Sequence, residues 1–158
     1  LPASVAPFIL RGVIFDQHGW AMTTNYTRNR HKKSYRYYTS TKAMKEGYRS
    51  TEVCTIPADE IETLVIGHLR QFFTMPEIVH RTHLKAQQQE PKITVDEVRD
   101  KLARFHEIWD QLFPVEQNRI VRLIVRRIQV TSQGVNITYQ PNGIMELYAQ
   151  IPGQRAAV

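Results

Sequence analysis

The hydrophobic period of the chain changes partway along. Residues 8–15 are apolar and partly β-branched, which predicts a first strand. Asp16-Gln17-His18-Gly19 predicts a turn, with Gly19 able to take positive φ. Residues 20–27, rich in Thr and aromatics, predict a second strand, residues 28–33 a polar connector and residues 34–41 a third strand. Alternation in that third strand sets Tyr35 and Tyr37 on one face and Arg36 and Tyr38 on the other. The expected arrangement is an antiparallel meander. Residues 42–50 are polar and fit one helical turn or a loop; residues 51–56 fit a short extended piece.

From Pro57 the period becomes helical. Pro57 opens a helix at an N1-like position, with Asp59, Glu60 and Glu62 in the first turns, where the helix dipole favours anions. Ile61, Leu64, Val65, Leu69 and Phe72 make its apolar face. Phe73-Thr74-Met75-Pro76 interrupts it, and residues 77–89 resume as a more polar helix. After Glu90-Pro91, Thr94-Val95-Asp96-Glu97 has the form of a capping box. Behind it Val98, Leu102, Phe105, Trp109 and Leu112 alternate spacings of four and three, a short coiled-coil-like seam. The pattern predicts a two-helix arm turning near residues 89–92, its seam packing within the chain or against a partner. Pro114 marks another helix start. Ile120, Val121, Ile124, Val125 and Ile128 form one face of that helix and Arg119, Arg122 and Arg126 another. A closing hairpin is expected from residues 127–132 and 135–140 around Gln133-Gly134. Residues 1–7, with Pro2 and Pro7, read as a leader or linker end, and the residues from Pro152 as a frayed tail.

Charge alters the picture in the first third. The formal net charge is +6, yet residues 1–50 hold nine Lys or Arg against two Asp or Glu, and residues 51–158 hold twelve against thirteen. The excess centres on residues 26–38, where Arg28, Arg30, Lys32, Lys33 and Arg36 stand among Tyr26, Tyr35, Tyr37 and Tyr38 with no acidic residue. Charges this close repel one another, and a polyanion relieves the repulsion. Clustered charge interleaved with aromatics points to nucleic acid; a solvated hairpin is the plainer reading. On the nucleic-acid reading Arg28, Arg30, Lys32 and Lys33 meet phosphates, and Arg36 a phosphate or a guanine edge. Tyr38 then reaches a phosphate through its hydroxyl, while Tyr35 and Tyr37 supply core. Arg119, Arg122 and Arg126 are a second candidate phosphate row, or a solvated face paired with Glu116 and neighbouring acids.

Other chemistry is sparse. The one cysteine, Cys54, excludes an intrachain disulfide and fits a cytosolic setting. No apolar run approaches the ~20 residues of a membrane span, and residues 5–10, broken by Pro7, are too short for a signal peptide. His80 and His83 stand at i, i+3, but nothing nearby completes a metal site, so they read as surface residues; His106 flanks the seam. Cys54 reads as a buried small residue rather than a nucleophile. No nucleophile–base arrangement is visible.

Several stretches occur in a telling order: Leu10-Arg11-Gly12-Val13-Ile14, Gly19-Trp20-Ala21-Met22-Thr23, Tyr35-Arg36-Tyr37-Tyr38, and Ile56-Pro57-Ala58-Asp59-Glu60-Ile61-Glu62. The order resembles the C-terminal part of large serine recombinases, the phage integrase and transposon resolvase type. Ile108-Trp109-Asp110-Gln111-Leu112-Phe113-Pro114, followed by residues 119–128, is similar to the stretch that follows in many bacterial members. The resemblance covers residues 8–140, and its specificity comes from the order of individually weak motifs. It implies a zinc-ribbon DNA-binding domain interrupted by a helical coiled-coil arm, the ribbon gripping one end of the attachment site and the arm controlling which sites synapse. The catalytic domain with its nucleophilic serine lies upstream in the family, and nothing here matches it. The chain by itself is expected to be non-catalytic, a piece of something longer.

The ribbon departs from the family pattern at its metal. Many relatives carry Cys-x-x-Cys just before the glycine matching Gly19, where this chain has Phe15-Asp16-Gln17-His18. Ser40 stands where the next pair would begin, and Cys54 alone remains nearby. Structural zinc takes four ligands, which His18, Cys54 and a strained His31 do not supply. The expectation is a ribbon without zinc or any other cofactor, with Phe15, Trp20 and Met22 filling a small apolar core. The expected fold is α+β: a degenerate zinc-ribbon-like β-domain over residues 1–56, a helical arm over residues 57–126, and a hairpin and short helix packing back over residues 127–151. The expected function is sequence-specific double-stranded DNA binding as part of a bacterial or phage-encoded serine site-specific recombinase in the cytoplasm, acting in DNA integration or other DNA recombination. Other recombinase subunits are the expected partners, through the arm. Five neutralised phosphates would give log affinity a slope of about −4.5 against log salt. A protein-interaction module acting through the arm, and a protein binding RNA or an anionic surface, are the readings from other classes.

Overall fold

The computed structural model describes residues 8–152; the expected leader and the tail beyond Pro152 lie outside the described residues. The fold is α+β. In chain order the elements are β1 (Ile14–Phe15), β2 (Met22–Arg28), β3 (Ser34–Ser40), α1 (Thr41–Glu46), β4 (Thr55–Pro57), α2 (Ala58–Phe72) and α3 (Pro76–Ala86). Then follow α4 (Val95–Ala103), α5 (Phe105–Trp109), α6 (Pro114–Ile124), β5 (Val125–Thr131), β6 (Gly134–Tyr139) and α7 (Pro141–Gln150). The strands form two three-stranded sheets, ordered β1-β5-β6 and β2-β3-β4.

The expected first strand is mostly turn. Arg11 N–H bonds the Phe8 carbonyl at 3.3 Å and Val13 N–H the Leu10 carbonyl at 3.2 Å. Phe8, Ile9 and Leu10 are buried as an apolar plug. An apolar run looks the same whether it is a buried strand or a buried turn, so periodicity does not separate the two. What remains, β1, also leaves the expected meander. It runs parallel to β5, pairing Ile14 with Ile128 and Phe15 with Gln129, and a lone bridge from Phe15 to Ala21 links it to the segment before β2.

On β3 the two faces are the reverse of the expectation. Tyr38 is fully buried, whereas Tyr35 is 40% exposed. Because α2 and the Leu10 turn cover the side of the sheet that carries Arg36 and Tyr38, that side is the inner one. Tyr35 and Tyr37 point away from it.

The helices bury the stripes that carry them. Pro57 is the N-cap of α2, which buries Ala58, Ile61, Val65, Leu69 and Phe72. Leu64, expected on that face, is exposed. Thr94 Oγ1 accepts from Glu97 N–H at 3.1 Å, which caps α4 as its sequence suggests. Val98, Leu102, Phe105 and Trp109 are all buried, with Phe105 between Phe73, at 4.5 Å between ring centroids, and Trp109, at 5.5 Å. The seam is therefore closed inside the molecule. The core cluster takes in buried residues from Phe8 to Ile151, so the β-ribbon, the helices and the C-terminal hairpin share one interior.

The run from Pro114 is helix only to Ile124. Val125 and Ile128 are buried as part of β5 rather than as a continued helical face. The same β-branched residues suit either state, and pairing with β1 and β6 decides for strand. α7 returns across α6 at Gly143, where a Cβ would lie 1.7 Å from the Leu123 carbonyl oxygen. A side chain at that position has no room.

Candidate nucleic-acid interface

Strands β2 and β3 pair in unbroken register from Met22–Ser40 at the base to Arg28–Ser34 near the tip. Seven residues at ~3.3 Å each make a ribbon on the order of 20 Å long. Asn29 organises the tip. Its Oδ1 accepts from His31 N–H at 3.0 Å and Lys33 N–H at 2.9 Å. Its backbone N–H and carbonyl bond Lys33 and Lys32, each at 3.0 Å. Lys32 takes φ 60° to close the loop. Such an Asx turn holds the tip backbone in place. Arg28, Arg30, Lys32 and Lys33 are all exposed on it, Lys33 Nζ lying 5.4 Å from the Tyr35 ring centroid. No acidic residue occurs between Asp16 and Glu46.

Two residues expected to reach DNA are held elsewhere. Arg36 bonds Glu62 at 3.0 and 3.3 Å and Asp59 at 2.5 Å, and its guanidinium lies 5.2 Å from the Phe8 ring centroid. Burial works against its charge, but the hydrogen bonds and charges of Glu62 and Asp59 outweigh that and hold its pKa above the ordinary value. The Tyr38 hydroxyl donates to Glu62 Oε1 at 2.7 Å and accepts from Leu10 N–H at 3.0 Å. Burial first, and then the Glu62 carboxylate, push its phenol well above the usual range. The buried Glu62, placed by the α2 start, thus fastens β3 to the core through two side chains. Its position in the first turns of α2 suggests a helix-dipole residue alone; the bonds to Arg36 and Tyr38 give it a second role.

The base of the ribbon is held by a carboxylate. Asp16, fully buried, accepts at Oδ1 from His18 N–H and Trp20 N–H, each at 2.9 Å. At Oδ2 it accepts from Ser40 Oγ at 2.6 Å. Ser40 Oγ in turn accepts from Ala43 N–H at 3.2 Å as the N-cap of α1. Ser40 N–H bonds the Cys54 carbonyl at 2.7 Å, and the half-buried Cys54 thiol lies 2.8 Å from the Tyr48 carbonyl oxygen. Among the described residues no group of three or more His, Cys, Asp or Glu is arranged to hold a metal. The Asp16–Ser40 contact ties the turn over residues 16–19 to the turn that opens α1. The expected replacement core is not what fills this place. Met22 is buried, but Trp20 is 36% exposed, with Lys42 Nζ and Lys45 Nζ each 5.6 Å from its ring centroid. An Asp followed by turn residues at the expected cysteine position was the available signal for this arrangement.

Arg119, Arg122 and Arg126 do not form one row. Arg119 and Arg122 lie on α6 and Arg126 on β5. Arg119 donates to Gln150 Oε1 at 3.3 Å rather than pairing with Glu116, whose carboxylate accepts instead from Phe113 N–H at 3.0 Å. Arg127, outside the expected set, lies over the Phe15 ring at 4.7 Å. His83 Nε2 is 2.9 Å from the Ile93 carbonyl oxygen and His80 is exposed. The arm seam, being buried, presents no surface to a partner; Leu112 at its end is half-buried.

No family model and no curated protein matches the chain. Solved structures do. A crystal structure of an LSR–DNA complex, LSR being a large serine recombinase, aligns over 88% of this chain with TM-score 0.53 and 16% identity. The two share a fold over that alignment. The present chain spans 57% of the length of that recombinase chain. A structure concerned with the sequence requirements of the Listeria innocua prophage attP site aligns over 88% of this chain and 45% of its own, with TM-score 0.44 and 15% identity. Among the described residues no helix is long and apolar enough to cross a membrane.

Proposed function

We propose that this chain binds double-stranded DNA as a non-catalytic part of a serine site-specific recombinase, bacterial or phage-encoded and working in the cytoplasm. The observation that carries the reading is the β2–β3 ribbon, which projects four exposed cations on an ordered tip with no acid near them in sequence. A two-stranded ribbon fits a B-DNA major groove, about 12 Å wide, and cations at its tip meet the phosphates that line it. The fold shared with a recombinase crystallised with DNA supports the same partner.

With Arg36 tied to α2, four phosphate contacts replace the five inferred from sequence. The slope of log affinity against log salt becomes about −3.6 rather than about −4.5. Fluorescence anisotropy with a short labelled duplex across a salt series measures it. Arg30→Ala should bring the slope down by about 0.9 with the fold unchanged. Binding that ignores salt, or RNA competing as well as duplex DNA, would overturn the proposal.

A further inference from the structure

One face of the ribbon is left over once the core and the cations have been placed. Met22, Thr24 and Tyr26 alternate with Thr23, Asn25 and Thr27, and Tyr38 and Arg36 alternate with Tyr37 and Tyr35. Met22, Thr24, Arg36 and Tyr38 of the first set face α2 and the Leu10 turn, as the Arg11–Thr24 and Tyr38–Leu10 hydrogen bonds record, while Tyr26 nearer the tip is exposed. The second set faces outward. Register places Asn25 opposite Tyr37 and Thr27 opposite Tyr35. Asn25, Thr27 and Tyr35 are exposed, and Thr23 and Tyr37 are half-buried. No hydrogen bond among the described residues occupies the side chains of these five.

The composition of this face is unusual for its setting. A solvated sheet face in so basic a region readily carries Lys or Arg, yet here the charges collect at the tip, where Lys33 lies over the Tyr35 ring, and Thr23, Asn25, Thr27, Tyr35 and Tyr37 are all neutral. Two kinds of DNA contact need these two kinds of side chain. Phosphates take cations in any order along the duplex, whereas base edges are discriminated by directional neutral groups and methyls. Asn presents an amide that pairs in bidentate fashion with adenine N6 and N7, and Thr offers a methyl to the thymine methyl. Asn25 lies three residues from Arg28, ~10 Å along the strand, close to the ~12 Å width of the major groove. The tip cations and Asn25 are therefore close enough to meet one groove together.

We propose that the outer face of the β2–β3 ribbon reads base edges in the major groove, with Asn25 as the main specificity-determining residue and Thr27 and Tyr35 beside it. The inference rests on the DNA-binding reading above and adds which face meets the bases. The test is selection of binding sites from a random duplex library by the full chain, alongside Asn25→Ala and Arg30→Ala. Circular dichroism should show all three folded, since the Asn25 side chain supports nothing in the protein.

The wild-type chain should enrich a motif. Asn25→Ala should lose the preference at one adenine-containing position by about tenfold or more, and bind bulk duplex as before. Arg30→Ala should weaken binding to every sequence and keep the motif. An unchanged motif in Asn25→Ala, or duplex binding by the wild type without any motif, overturns the base-reading face and leaves DNA binding standing. A wild-type chain that binds no duplex overturns both.

Discussion

Ser40→Ala removes one oxygen that does two jobs. Ser40 Oγ donates to the Asp16 carboxylate at 2.6 Å, with both residues fully buried, and accepts from Ala43 N–H at the start of α1. A hydrogen bond to a charged acceptor contributes about 1.5–3 kcal/mol, and its loss leaves one carboxylate oxygen without this donor. A lost Ser cap costs about 0.5–2 kcal/mol. Because α1 is a short helix that buries only Ala43, the cap belongs near the low end of that range. The expected loss is about 2–4 kcal/mol, a drop in Tm of roughly 5–15 °C for a chain of this size. Asp16→Ala should cost more, since two backbone N–H groups lose their acceptor as well. The double variant should fall short of the sum by about 1–3 kcal/mol, the coupling between the two side chains. Urea unfolding followed by Trp fluorescence gives all three values, with the slope against urea unchanged from wild type. A Ser40→Ala loss below about 1 kcal/mol, or a coupling near zero, refutes the argument that this contact holds the two turns together. A chelator should leave the wild-type midpoint where it is; a midpoint that falls on chelation means that a metal does the holding.

Three further outcomes follow from the Glu62 cluster and the helix crossing. Tyr38→Phe should cost about 1–3 kcal/mol at neutral pH, because Glu62 and Leu10 N–H each lose a partner. Burial raises the phenol above its ordinary 10.0, so folding favours the protonated form. The stability it contributes is full below about pH 10 and is lost as pH rises beyond that. Denaturant midpoints with tyrosinate absorbance across that range should show a decline that Tyr38→Phe lessens, and an identical decline in the variant would count against it. Arg36→Ala should destabilise by about 1–3 kcal/mol, leaving Glu62 short of its cation, and should not change the salt slope of DNA binding; a reduced slope would return Arg36 to the phosphate contacts. Gly143→Ala should destabilise by about 1–3 kcal/mol or more, since its Cβ meets backbone rather than a yielding side chain. An unchanged Tm would mean that α7 sits farther from α6.

Much of the ribbon could be read from residue order. The β2–β3 pair, the Thr94 cap, the Pro114 helix start and the C-terminal hairpin follow from local chemistry, since turn residues, caps and prolines act over a few positions. The cation cluster was equally open to reading, because charge does not depend on which face is buried. What stayed hidden were partners distant in sequence. Glu62 is 24 residues from Tyr38 and 26 from Arg36, and Ser40 is 24 from Asp16. A carboxylate at a helix start looks the same whether it serves the dipole or receives a buried phenol.

The sequence alone therefore settled the ribbon, its basic tip, the absence of a cysteine set and the periods of the helices. The inward face of the ribbon waited on tertiary packing, since strict alternation looks identical from either side. So did the point where α6 becomes β5, because the same β-branched residues satisfy both states and the pairing strands lie far away in the chain. The first of these outcomes divides the basic stretch. Arg36 and Tyr38 turn inward to a carboxylate on α2, and Arg28, Arg30, Lys32 and Lys33 remain outside at the tip.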